Sequence, residues 1–185
     1  MDSTLIWDDG KSGADHDFSC YAPSSDSSSR MFVIGHFGIG DQQNGRKPRT
    51  YVVSLAGDAD VNSVFQHPVS YSIIWTDAGS GSTKDGSFWK VNCPEGYGSL
   101  SDLCQIGYTS PNLDAIYCIN QDYLEDDQHG NWIWDDTASG AAKDVDINGG
   151  DSELTKELVA ATTQRGETKS LNKIKSEYLG ISKAV

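Results

Sequence analysis

The chain has 185 residues, with five Trp, eight Tyr, nineteen Gly and a formal net charge of −13, which suits one turn-rich domain with ample material for a core. The charge speaks against nucleic acid and against anionic membrane surfaces as partners, because both select a basic face; it fits a neutral or cationic ligand. No apolar run approaches the roughly 20 residues of a membrane helix. Met1-Asp2-Ser3-Thr4 lacks the basic and apolar regions of a secretory leader, so a cytoplasmic chain or a mature secreted one is expected.

Residues 1–4 read as a lead-in and residues 5–21 as a hairpin. The loop of that hairpin runs Trp7-Asp8-Asp9-Gly10-Lys11-Ser12-Gly13-Ala14-Asp15-His16-Asp17. The same pattern, W-[DT]-D-x-x-S-G-[AS]-x-[HK]-D, returns at Trp75 and at Trp134, after intervals of 68 and 59 residues. Eleven positions written three times are an internal repeat. Short β-branched or aromatic runs flank each copy, so each reads as two strands joined by a loop. Trp7, Trp75 and Trp134 close the incoming strands and are expected to share a core. Gly13, Gly81 and Gly140 are expected to take backbone angles that a β-carbon disfavours.

Between the copies, Pro23 to Ser29 reads as a Ser-rich turn and Met31 to Ile34 as a strand. Gly35 to Gly45 is glycine-rich, and Arg46 to Arg49 is a basic cluster read as a solvated loop. Thr50 to Leu55 reads as a strand, followed by a polar loop with Asp58 and Asp60, then by Tyr71 to Trp75. The second interval repeats this plan: Pro94 to Tyr97 turns into Ser99-Leu100, Leu113 to Ile119 replaces Thr50 to Leu55, and Asn131 to Trp134 replaces Tyr71 to Trp75. Two units of about four strands result, near 22–89 and 90–148, with 5–21 as the closing half of a third. The expected fold is all-β: a three-sided β-prism with pseudo-threefold repeats over residues 1–150.

From Ser152 the period changes. Leu154, Leu158, Val159 and Ala161 share one helical face, and Leu171, Ile174, Tyr178 and Leu179 share another after Gly166. The spacing predicts a largely helical stretch over 152–180, within an extension of residues 151–185 packed on the prism. Cys20, Cys93, Cys104 and Cys118 allow three pairings as two disulfides, and they lack the C-x-x-C spacing of structural zinc. The strand setting of Cys118 favours buried free thiols.

The triplicated loop, together with Pro94-Glu95-Gly96-Tyr97-Gly98-Ser99-Leu100, resembles the vacuolar protein sorting-associated protein 62 family. Ile6-Trp7, Ile74-Trp75, Ile133-Trp134 and the S-G-[AS] loops carry the resemblance over residues 5–148. It implies a β-prism akin to the multivesicular-body-associated β-prism domains and to those at the ends of some pore-forming toxins. The first interval departs from the family text in lacking a Pro-x-Gly-Tyr.

Each copy contains G-x-x-x-D: Gly13 to Asp17, Gly81 to Asp85 and Gly140 to Asp144. Jacalin-type lectins use a similar loop, in which a carboxylate accepts sugar hydroxyls and loop N–H groups donate. Charged acceptors make the stronger hydrogen bonds, and several sites would add avidity. Carbohydrate is therefore the expected ligand, at Gly13, Asp15, Asp17, Gly81, Asp85, Gly140 and Asp144. The structural alternative is that each aspartate holds its own loop shut. Calcium at Asp8, Asp9, Asp135 and Asp136 is a second ligand reading. Asp144-Val145-Asp146-Ile147-Asn148-Gly149 also opens like an EF-hand loop, but its twelfth position is Thr155 rather than Glu. No nucleophile elbow or Cys–His signature occurs, and no resident cofactor is expected. A membrane- or protein-docking module and a hydrolase using loop carboxylates are the alternatives to a lectin-like, non-enzymatic binding protein.

Overall fold

In the computed structural model, residues 2–24, 30–41 and 47–179 are described. The chain is mostly β-sheet. Its strands are β1 (Ser3–Asp8), β2 (Phe18–Pro23), β3 (Met31–Phe32), β4 (Phe37–Gly40) and β5 (Val53–Ser54), then a four-residue helix α1 (Val61–Val64) and β6 (Phe65–Gln66). There follow β7 (Ser70–Thr76), β8 (Gly86–Asn92), β9 (Tyr97–Gly98), β10 (Leu103–Ile106), β11 (Cys118–Asn120) and β12 (Leu124–Asp127). The last four are β13 (His129–Asp135), β14 (Asp146–Gly150), β15 (Ala160–Thr162) and β16 (Leu171–Ile174).

Three antiparallel three-stranded sheets carry the three tryptophan loops: β1-β2-β4, β7-β8-β10 and β13-β14-β15. In each, the register slips within the tryptophan strand, between Leu5 and Trp7, between Ile73 and Trp75, and between Trp132 and Trp134. Residues two apart on a regular strand share a face; an inserted residue re-aims the side chains beyond it. That is why Leu5, Ile73 and Trp132 are 41%, 51% and 47% exposed while the tryptophans two positions later are fully buried.

The three buried indoles meet edge to face, with ring centroids 6.1–6.3 Å apart. Each also donates a hydrogen bond out of its own sheet. Trp7 Nε1 reaches the Lys84 carbonyl (2.8 Å), Trp75 Nε1 that of Lys143 (2.6 Å) and Trp134 Nε1 that of His16 (2.7 Å). The loops answer in the opposite sense: Asp15 N–H to Thr137 O, Thr83 N–H to Gly10 O and Ala142 N–H to Ala78 O. Each tryptophan sheet is thereby tied to both others. Phe18, Phe88 and Ile147 fill the space around the rings. Gly86 holds the position that Phe18 and Val145 hold in the other copies, and a β-carbon there would run into the Trp7 indole.

The expected C-terminal helix is not found: among described residues past 150 the only helical turn is a 3-10 turn at Ser176–Tyr178, and the chain instead forms β15 and β16. The reason lies in the run Leu158-Val159-Ala160-Ala161, whose four residues are all buried. Val159 and Ala161 pack into the tryptophan cluster, while Leu158 and Ala160 pack into a second cluster with Ile34, Phe37, Phe65 and Leu100. The true period is two, hidden because both faces are apolar. Pairing of β15 with β14 and of β16 with β12 overrides local helix propensity.

Other expectations shift less. The strand expected over Met31 to Ile34 shrinks to two residues, as does that over Thr50 to Leu55, and these two pair as β3 and β5. Leu113 to Ile119 divides into a 3-10 turn (Leu113–Ala115) and the start of β11. Residues 25–29 and 42–46, which include most of the Ser-rich turn and part of the glycine-rich and basic segments, lie outside the described residues.

The cysteines are not free. Cys20 on β2 is bonded to Cys104 on β10, and Cys93 is bonded to Cys118 on β11. Spacing along the chain did not reveal these pairs because their partners come from distant segments, 84 and 25 residues apart. Beside the first bond sits buried His36, its main-chain N–H donating to Ser101 Oγ (3.1 Å) and its Nδ1 3.3 Å from Cys104 Sγ. Burial strips hydration from the imidazolium and lowers its pKa from 6.5 to about 4. The unfolded chain then binds a proton that the folded chain refuses, so stability contributed above pH 6.5 is lost as pH falls toward 4. The loss approaches about 3 kcal/mol. Urea unfolding at pH 7 and pH 4.5 should show this acid sensitivity in the wild type and a smaller one in His36→Gln.

Candidate functional site: three acidic loops

Each tryptophan loop contains two aspartates with different positions. The inner one is buried: Asp9, Asp77 and Asp136 are each under 5% exposed. Its carboxylate accepts the N–H of the residue nine positions on, namely Phe18 (2.8 Å), Gly86 (3.0 Å) or Val145 (3.1 Å). Ser12 and Ser139 hydroxyls add to Asp9 and Asp136. These residues bolt the base of the loop. Burial raises the pKa values of Asp9 and Asp136 against the lowering effect of those hydrogen bonds.

The outer aspartates, Asp17, Asp85 and Asp144, are exposed. Gly13, Gly81 and Gly140 turn the loop with φ of 80°, 75° and 77°, a left-handed conformation that favours glycine. Asp15 is exposed and ties loop one to loop three through its main chain. The loop-closing role expected of the outer aspartates thus falls on the inner ones. Of the residues considered for calcium, Asp9 and Asp136 are these bolts. Asp8 accepts from Gly10 N–H and Lys84 Nζ (3.0 Å), and Asp135 accepts from Thr137 N–H and Trp132 Nε1. Asp8 and Asp9 serve loop one, Asp135 and Asp136 loop three.

The three aspartate pairs differ in what meets them. In loop two, the Tyr108 hydroxyl donates to Asp77 Oδ1 (2.8 Å) and lies by Asp85; desolvation and these two carboxylates push the phenol pKa up. In loop three, the Arg165 guanidinium donates to Asp136 (3.3 Å) and Asp144 (3.0 Å), and that bond holds the Asp144 carboxyl below its usual range. In loop one, no side chain among the described residues bridges Asp9 and Asp17. Here the surface forms a shallow, open depression of about 230 Å³ lined by Leu5, Asp8, Asp9, Gly10, Asp17, Phe18 and Ser19. Next to Asp17 in the chain, His16 packs edge-on against exposed Trp132 (5.2 Å) and contacts Asp41 (3.0 Å). Tyr108 and Arg165 were missed in the sequence because both lie outside the repeated text, Arg165 in a stretch read as helix.

No curated protein matches the sequence. Among solved structures, GNIP1Aa from Chromobacterium piscinae is similar, with a TM-score of 0.74 and 27% identity over 88% of this chain. The match takes up 32% of GNIP1Aa, so the chain spans about a third of that protein. The family model for vacuolar protein sorting-associated protein 62 matches residues 2–156. With most of its length matched and the tryptophan loops inside the match, the chain belongs to the vacuolar protein sorting-associated protein 62 family.

Proposed function

We propose that this chain is a three-sided β-prism with pseudo-threefold repeats that acts as a lectin-like, non-enzymatic binding protein, with its principal carbohydrate site at loop one. The reciprocal indole and loop hydrogen bonds support the prism reading. The contrast between the loops carries the binding reading. A matching aspartate pair takes a hydroxyl in loop two and a guanidinium in loop three, so the pair in loop one is chemically disposed to accept donors from outside. A sugar hydroxyl has the chemistry of the Tyr108 hydroxyl, and Leu5 supplies an apolar patch of the depression for a pyranose face. Gly81–Asp85 and Gly140–Asp144 serve as weaker sites, since Tyr108 and Arg165 compete for their aspartates.

The test is a glycan array with wild type, Asp17→Asn, Asp85→Asn and Asp144→Asn. A hydrogen bond to a charged group is worth about 1.5–3 kcal/mol, so Asp17→Asn should weaken binding about tenfold to a hundredfold. The other two should do less. Absence of glycan binding by the wild type, or equal loss in all three, would refute the assignment. A docking module is the second reading, favoured by the match to part of the longer GNIP1Aa chain. Flotation with neutral vesicles would reveal it.

A further inference from the structure

A separate cluster of reactive side chains lies in the core. The sulfurs of Cys20 and Cys104 and a ring nitrogen of His36 lie within 4.8 Å of one another, all buried, and no other such group of potential metal ligands occurs among the described residues. Cys20 and Cys104 sit in the apolar cluster that includes Phe18, Phe88 and Val159. We propose that, once the Cys20–Cys104 bond is reduced, Cys20, Cys104 and His36 hold one d10 cation, Zn(II) or Cu(I), as a buried site of two thiolates and one imidazole.

Thiolate and imidazole are the donors that such soft or borderline cations select. Metal–sulfur bonds of about 2.3 Å and metal–nitrogen bonds of about 2.0 Å place ligand atoms roughly 3.5–4 Å apart. His36 Nδ1 already lies 3.3 Å from Cys104 Sγ, and a Cα–Cα distance of 6.5 Å lets the sulfurs part by side-chain rotation. A neutral imidazole offers the lone pair of one ring nitrogen to such a cation. With Zn(II), two thiolates and a neutral imidazole sum to zero charge, which limits the cost of burial.

The chemistry balances with a thiol or phosphine reductant. Two electrons and two protons convert the disulfide to two thiols, while the reductant becomes its own disulfide or its oxide, the oxygen of the oxide coming from water. Cation binding then releases the two thiol protons to solvent. The site is therefore exclusive: the cysteines are joined to one another or to the metal.

The 185-residue chain, kept in a phosphine reductant, would be titrated with Co(II), as the spectroscopic stand-in for Zn(II), and with Cu(I) against a competing chelator. The expected result is one cation per chain with thiolate charge-transfer absorption. Cys93→Ser/Cys118→Ser should keep that uptake and Cys20→Ser/Cys104→Ser should lose it. His36→Gln should weaken it at least about 100-fold, since losing even an outer-shell partner costs 10–100-fold. Near-ultraviolet circular dichroism of the tryptophan cluster would follow folding in every sample. Uptake unchanged by Cys20→Ser/Cys104→Ser would overturn the proposal, as would folded, reduced protein that binds no cation. So would a reduced chain that loses its tryptophan signal and does not regain it when the cation is added.

Discussion

Trp134→Ala is expected to lower the free energy of unfolding by about 5 kcal/mol. Removing a fully buried Trp side chain typically costs about 3–5 kcal/mol, part of it for the cavity left behind. Here the ring touches Trp7, Trp75 and Phe18, so a cavity cannot close without moving neighbours from two other sheets. The substitution also removes the indole hydrogen bond to the partly buried His16 carbonyl, and such a bond typically nets about 0.5–1.5 kcal/mol. Against a typical total of about 5–15 kcal/mol, the variant should be close to unfolded. Urea denaturation followed by circular dichroism checks this. Trp132→Ala is the internal control: two residues away and 47% exposed, it should cost less than about 1 kcal/mol. Similar losses in the two variants would mean that the indole cluster does not hold the sheets together.

Replacing Cys20 and Cys104 together by alanine should cost nearly as much, about 4–5 kcal/mol. The bond closes a segment 84 residues long, and the loop-entropy model gives a stabilisation of that order from the restricted unfolded chain. The same model gives about 3.5 kcal/mol for Cys93 and Cys118, which are only 25 residues apart. The first pair also lies inside the tryptophan cluster, where two alanines leave space. The expected order is wild type, then the Cys93/Cys118 variant, then the Cys20/Cys104 variant, in chemical unfolding under non-reducing conditions. The reverse order would mean that the native state, not chain entropy, governs the difference.

The tryptophan loops were legible because their spacing is fixed by local chemistry: Trp, inner Asp, Ser, Gly and outer Asp recur at constant offsets. Which aspartate bolts the loop was not legible, since both types suit that task and only burial separates Asp9 from Asp17. The bulges before the tryptophans were also hidden, because an inserted residue such as Ile6 looks like any other strand residue. Leu158 to Ala161 misled because a strand buried on both faces offers apolar residues at every position, including those of a helical stripe. Disulfide partners and the Tyr108 and Arg165 contacts depend on long-range neighbours, and no local pattern encodes those.

The indole hydrogen bonds have a consequence for how the molecule is made. The link from Trp134 to the His16 carbonyl spans 118 residues, and those from Trp75 and Trp7 span 68 and 77. A nascent polypeptide leaving the ribosome N-terminus first holds Trp7 and Trp75 with part of their final company until the third loop emerges. During that interval aromatic surface stays open to solvent and to neighbouring polypeptides. Final assembly therefore awaits emergence of the third loop, and chaperone dependence should be greatest for chains stalled before Trp134.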